Sequence, residues 1–249
     1  MTLRFLGCVA VLACAGFFMV PEAQAREYLL NQAYETAERG EVEVELYNDM
    51  NFTEADNDDS YTSKHQIEVE YGLTDHLQLA YYEVYAWDRS KDWERDAFKI
   101  EAKLRLAEAG HWPVDLALYT EYKNPDGHRA INSDELENKV ILGKDIGPWD
   151  LVGNFVFEKK LNTGSDWEFE YTAGASYALT PRIRVGLELK ETLGDTDEFG
   201  VHRTDHELFL MPALYANLAP HVRMLAGPAF GLTHASDDLQ LKSIVEVEF

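Results

Sequence analysis

The sequence predicts an all-β chain, a single antiparallel transmembrane β-barrel of about twelve strands with short turns at one end and longer loops at the other. Three observations predict it. Apolar and charged residues alternate with period two through most of the chain. No segment beyond the first twenty-five residues offers the run of about 20 apolar residues that a membrane helix needs. The connections between the alternating runs are, in turn, tight and long.

Composition narrows the function classes. The 249 residues carry 45 acidic against 22 basic side chains, a net charge of −23, so a phosphate backbone would be repelled and nucleic acid is excluded as a partner. An aromatic content of 12 % argues for a chain that packs rather than one that stays disordered.

Met1 to Ala25 reads as a secretory signal peptide. Arg4 precedes an apolar run from Phe5 to Val20, and Pro21 and Ala23-Gln24-Ala25 then form a small-residue cleavage site. Val11-Leu12-Ala13-Cys14 faintly resembles a lipoprotein box, but the apolar run continues past it. Both cysteines, Cys8 and Cys14, fall in this removable segment, so the mature chain is expected to lack disulfides and thiolate metal sites. Residues 26–39 alternate less; Tyr28, Leu29, Leu30, Ala33 and Tyr34 could form one face of a short helix. The segment could enter the barrel as a plug, rest at the periplasmic mouth or remain a tail.

The barrel itself is expected over residues 40–249. Twelve alternating runs cover about 41–52, 62–72, 76–87, 97–107, 113–123, 136–145, 150–160, 166–178, 182–191, 205–217, 221–232 and 239–249. In the fourth, Phe98, Ile100, Ala102 and Leu104 interleave with Lys99, Glu101, Lys103 and Arg105; in the ninth, Ile183, Val185, Leu187 and Leu189 interleave with Arg184, Gly186, Glu188 and Lys190. Most runs reach the 9–11 or so residues that a tilted strand needs to cross a bilayer. Three tight turns belong to a degenerate repeat, Tyr71-Gly-Leu-Thr-Asp-His-Leu, Tyr177-Ala-Leu-Thr-Pro-Arg-Ile and Ala216-Asn-Leu-Ala-Pro-His-Val. All five tryptophans (Trp87, Trp93, Trp112, Trp149 and Trp167) fall at strand ends, where an interfacial girdle would lie.

The closing Val245-Glu-Val-Glu-Phe249 resembles the terminal strand of bacterial outer-membrane proteins, which finish on a Phe read by the barrel-assembly machinery. More loosely, Tyr34 to Glu45 and the Leu-Thr-Asp and Leu-Thr-Pro turns look like those of poorly characterised porin-like barrels of Gram-negative bacteria. That resemblance implies an outer-membrane location and a barrel architecture, not a substrate; the expected partners are outer-membrane lipid and lipopolysaccharide, the barrel-assembly machinery through Phe249, and small solutes or ions.

An apolar lipid face turns the other parity inward. The candidate pore-lining residues are Glu43, Glu45, Glu68 and Glu70 on an acidic wall and Lys99, Lys103, Arg105 and Arg184 on a basic one. Opposed walls would filter solutes, with the acidic excess favouring cations. The same residues could instead pair between neighbouring strands and close the lumen, leaving a structural or adhesive barrel that works through its loops.

Enzymatic readings fare worse. Some twelve-stranded outer-membrane barrels are hydrolases, but histidines here are scattered, and only Asp126-Gly-His128 and His202 with Asp205-His206 set His beside carboxylate in outer loops. His202 and His206 are spaced for a metal only on a helix. The acidic runs starting at Asp56 and Asp195 fail as calcium loops, because Ile67 and His206 stand where the last ligand belongs. No Gly-rich phosphate cradle occurs, so no cofactor is expected and the chain reads as a non-enzyme.

Overall fold

The computed structural model describes residues 28–53, 61–88, 93–126, 133–162, 164–195 and 206–249. The expected signal peptide, Asp56 to Asp59, His128, His202 and Asp205 lie outside them. Twelve strands follow in chain order: β1 (Val42–Phe52), β2 (Tyr61–Thr74), β3 (Leu77–Asp88), β4 (Glu94–Arg105), β5 (Asp115–Pro125) and β6 (Glu135–Ile146), then β7 (Trp149–Lys160), β8 (Trp167–Thr180), β9 (Ile183–Asp195), β10 (Glu207–Ala219), β11 (Val222–Gly231) and β12 (Leu239–Glu248). Each pairs antiparallel with its chain neighbours, and β1 pairs with β12 from Glu43↔Glu248 to Phe52↔Leu239. This is the closed all-β barrel that the alternation predicts, and closure leaves no strand edge unpaired.

The barrel is apolar outside and polar inside. On β2, Ile67, Val69 and Tyr71 are exposed on the outer wall, while Glu68 and Glu70 between them are 0 % and 4 % exposed. The same inversion holds on β4, where Ile100 and Leu104 face out and Glu101 and Lys103 face in. In water such a surface would carry a large hydrophobic penalty; in a bilayer it is the favourable arrangement. Exposed Trp93, Trp112 and Trp149 stand at strand ends, at the two rims of this band.

The repeated turns share one device. Thr74 Oγ1 accepts from the backbone N–H of His76 (3.2 Å) and Leu77 (3.0 Å), and Thr180 Oγ1 accepts from Arg182 (3.2 Å) and Ile183 (3.0 Å). A register shift precedes each turn, between Gly72 and Thr74 and between Ala178 and Thr180. The third copy has the same shift, between Asn217 and Ala219, but no hydroxyl, and there His221 takes a left-handed φ of 62°.

One rung of the wall is chemically incomplete. Between β10 and β11 the pairing passes from Leu210↔Phe230 to Leu214↔Ala226, which sets Pro212 opposite Pro228. Residues of this parity on β10 turn their backbone groups toward β11, as the bond from Leu232 N to Leu208 O (2.8 Å) shows. Two facing prolines supply no N–H, so that rung forms neither of its two hydrogen bonds.

Two stability outcomes follow. Replacing Thr180 with Val should lower the unfolding free energy of the barrel in lipid by about 1 kcal/mol, the net value of a hydrogen bond. Replacing Pro228 with Ala returns an N–H opposite the Pro212 carbonyl and should raise it by about the same amount. Urea unfolding of the reconstituted barrel checks both.

Candidate functional site

The lumen is built from inward positions of all twelve strands, and its charge is organised by register. On the short-turn half, Glu43 pairs across β1 with both Glu248 and Glu70, and Glu45 with both Glu246 and Glu68. Two rungs therefore carry three carboxylates each over β12, β1 and β2. Carboxylate oxygens of Glu43, Glu45 and Glu246 all lie within 4.8 Å of one another, as do those of Glu68, Glu70 and Glu101. Like charges at about 4 Å repel by about 4 kcal/mol even at an effective dielectric constant of about 20. Such a wall is held by donors and counter-charges rather than by its own packing. Arg223 on β11 contacts Glu246 and stands 3.7 Å from Glu43, Tyr47 donates to Glu68 (2.8 Å), and Tyr82 donates to Glu101.

The four acidic wall residues thus sit together on adjacent strands, all at most 4 % exposed. The four basic ones do not form a facing wall. Lys99 pairs with Glu121 on β5 (3.1 Å), and Lys103, 1 % exposed, lies on the same face two residues from Glu101. Arg105 turns to the short-turn rim, where it donates to Asp75 O (2.6 Å) and meets Glu108 (3.2 Å). Arg184 on β9 donates to Ser176 Oγ (3.0 Å) and lies 3.9 Å from Asp150. Further up the lumen, Lys123–Glu135 (2.6 Å), Lys139–Glu137 (2.9 Å), Lys190–Glu170 (2.7 Å) and Lys242–Asp49 (2.8 Å) continue the pairing. Many of these partners sit on the same or a neighbouring strand, whereas Arg184 and Arg223 also reach carboxylates two strands away.

Residues 28–39 pass through the short-turn half of this lumen. They form bends and a turn, not the short helix that their apolar spacing suggested. The Glu188 carboxylate on β9 accepts from Leu29 N (2.9 Å), Leu30 N (2.7 Å), Asn31 Nδ2 (2.8 Å) and the Tyr215 hydroxyl (2.8 Å). Asn154 on β7 accepts from Gln32 N (2.7 Å) and donates to Gln32 O (2.9 Å), and Gln78 Oε1 accepts from Ala37 N (2.8 Å). Tyr28 packs edge-on against Tyr215 at 5.5 Å. Tyr28, Leu29, Ala33 and Tyr34 join an apolar cluster with inward residues such as Ile141 and Met211. Two glycines make room: a Cβ at Gly143 would overlap the Tyr34 ring, and one at Gly174 would crowd the Tyr28 ring.

Sequence reasoning placed Glu188 on the inward face but not as a holder of the N-terminal segment, and it did not single out Asn154 or Gln78, because an irregular segment has no period with which to place it. The available signal was the pair of small residues, Gly143 and Gly174, at inward positions of long strands. His206, the described half of the histidine pair, bonds Glu191 at 2.8 Å at the start of β10.

Together, the closed ring, the apolar outer band and the polar lumen define the outer-membrane β-barrel class. No family model matches the chain, and no curated protein matches it. Among solved structures it is similar to the COG4313 outer membrane channel from Pseudomonas putida F1, with a TM-score of 0.63 and 14 % identity over 87 % of this chain and 98 % of that one. It is also similar to the NanC porin (0.56, 10 %, 84 % and 98 %) and to the KdgM porin in complex with disordered oligogalacturonate (0.55, 9 %, 83 % and 98 %). At these identities the likeness is one of fold.

At the short-turn mouth, before β1 begins, burial and the adjacent Glu248 carboxylate push the Glu41 carboxyl up to about 7. An acid raised in the folded state costs stability once it must ionise, so the penalty grows as pH rises from about 4.5 through 7. Glu41→Gln should therefore melt above the parent at pH 8 and together with it at pH 4.5, as followed by thermal unfolding in detergent.

Proposed function

We propose that the chain is a porin-like channel of a Gram-negative outer membrane, passing small solutes or ions by diffusion and preferring cations. The observation that carries this reading is the pair of all-glutamate rungs inside a closed barrel: a low-dielectric wall facing a polar lumen concentrates counter-ions of the opposite sign. Glu43, Glu45, Glu68 and Glu70 are the pore-lining residues that set the preference. Lys99, Lys103, Arg105 and Arg184 line the same lumen and limit its negative potential through their neighbours. The chain works by passage and carries out no catalytic step.

The outer wall suits lipid and, at the outer rim, lipopolysaccharide. Phe249 donates its backbone N–H to Val42 O (2.8 Å) at the closing seam and is 76 % exposed, a posture open to the barrel-assembly machinery. A second reading has one observation in its favour. Because residues 28–39 fill part of the lumen, the barrel could be closed and act through its loops.

Reversal potentials across a planar bilayer under a salt gradient decide between them. The parent should give discrete, cation-preferring conductance steps. Glu45→Gln combined with Glu68→Gln relieves like-charge crowding, so the barrel should still fold, and it should shift the reversal potential toward zero. A folded parent that stays silent with and without residues 28–37 would establish the closed barrel instead.

A further inference from the structure

We infer that Glu188 is the latch of a gate, and that residues 28–39 are the gating element it holds in the lumen. The inference rests on the channel reading only for its consequence; the latch itself is a matter of contacts. Glu188 is fully buried and receives four donors, three of them from the N-terminal segment. None of the four is a cation. Its rung neighbours on β8 and β10 are Gly174 and Met211, so no basic side chain stands opposite it. Lumen carboxylates such as Glu121, Glu135 and Glu170 are held by lysines of the wall, whereas Glu188 takes three of its four donors from the segment. Hydrogen bonds to a charged acceptor are the strong ones, roughly twice the neutral kind.

The remaining contacts are of the sort that can be broken together. Asn154 and Gln78 bond only main-chain groups of the segment, and the Tyr28 and Tyr34 rings rest where Gly174 and Gly143 leave room. No strand of the barrel includes the segment, so its departure breaks no ladder. The barrel wall can therefore remain closed while the lumen empties. Of all the contacts, the Glu188 carboxylate binds the most segment groups at one point, over Leu29, Leu30 and Asn31. Glu188 acts as a positioning residue: it sets where the segment sits and thereby what the lumen passes.

The test reads segment position and conductance separately. In the full chain with Cys8 and Cys14 changed to Ser, a single thiol is introduced as Ala33→Cys, at a position 2 % exposed. Labelling by a bulky, charged maleimide in liposomes should be at least tenfold faster when Glu188→Ala is added. Glu188→Gln keeps the size of the side chain but sets an amide against donors, and should be intermediate; it also serves if the alanine variant fails to fold. Unchanged labelling in a folded variant overturns the latch.

Conductance then tests the gate. Glu188→Ala should raise single-channel conductance toward that of a chain lacking residues 28–37, and should add nothing in that shortened background. An equal effect in both backgrounds would make Glu188 an ordinary wall charge and overturn the gate. Faster labelling with no change in the current of a conducting parent would leave the latch standing and overturn the gate, whereas a folded parent silent in every background would remove the channel reading.

Discussion

A strand has only two faces, and in a closed ring that spans a bilayer one of them is committed to lipid. Everything else in this structure is a response to that constraint. Ile67, Val69 and Tyr71 occupy the outer parity of β2, so Glu68 and Glu70 have nowhere to go but inward. The same holds for Glu101 and Lys103 on β4. A one-residue slip would exchange the two sets completely, which is why the register from Glu43↔Glu248 to Phe52↔Leu239 is so strongly specified at the closing seam. The interior must then accommodate far more ionisable groups than a dry core tolerates.

The two halves of the lumen meet that demand differently. Away from the short turns, carboxylates and amines alternate between neighbouring strands, as in Lys99–Glu121 and Lys123–Glu135, and the charges answer one another locally. On the short-turn half, β12, β1 and β2 all present glutamate at the same heights; Arg223 on β11 contacts Glu246, and the Tyr47 phenol on β1 donates to Glu68. This half would be costly to hold by cross-strand pairing alone, since like charges opposite each other destabilise a sheet. It is also where a permeating cation would be stabilised most. The feature that makes the wall hardest to build is the one that gives it an electrostatic preference.

How much of this was legible in the sequence depends on whether a period governs the feature. Twelve strands could be located to within about four residues because side-chain alternation and turn chemistry both mark them. The repeat around Thr74 and Thr180 was visible too, although the role of the two hydroxyls in closing the turns is seen only in the structure. The inward placement of Glu43, Glu45, Glu68 and Glu70 followed from the same parity. What parity cannot supply is neighbourhood around the ring. Lys99 and Arg184 were equally visible as inward cations, yet their partners, Glu121 on one side and Ser176 with Asp150 on the other, depend on strand order and depth. The path of residues 28–39 was less legible still, because a segment without regular structure leaves no pattern, and the apolar spacing from Tyr28 to Tyr34 was equally compatible with a helix.

The irregularity of that segment explains its attachment. A peptide with no helix and no ladder carries N–H groups that must find acceptors when buried. The lumen supplies them as side chains: Glu188 for Leu29 and Leu30, Asn154 for Gln32, Gln78 for Ala37. Conversely, Glu188 sits between Gly174 and Met211, so no basic side chain stands on either neighbouring rung and the anion would otherwise need water. The segment satisfies the wall and the wall satisfies the segment, so neither is stable in this geometry without the other or solvent in its place. A lumen wet enough to hydrate Glu188 is therefore the natural alternative to the one seen here. Exchange between a segment-filled and a water-filled lumen needs no change in the strands.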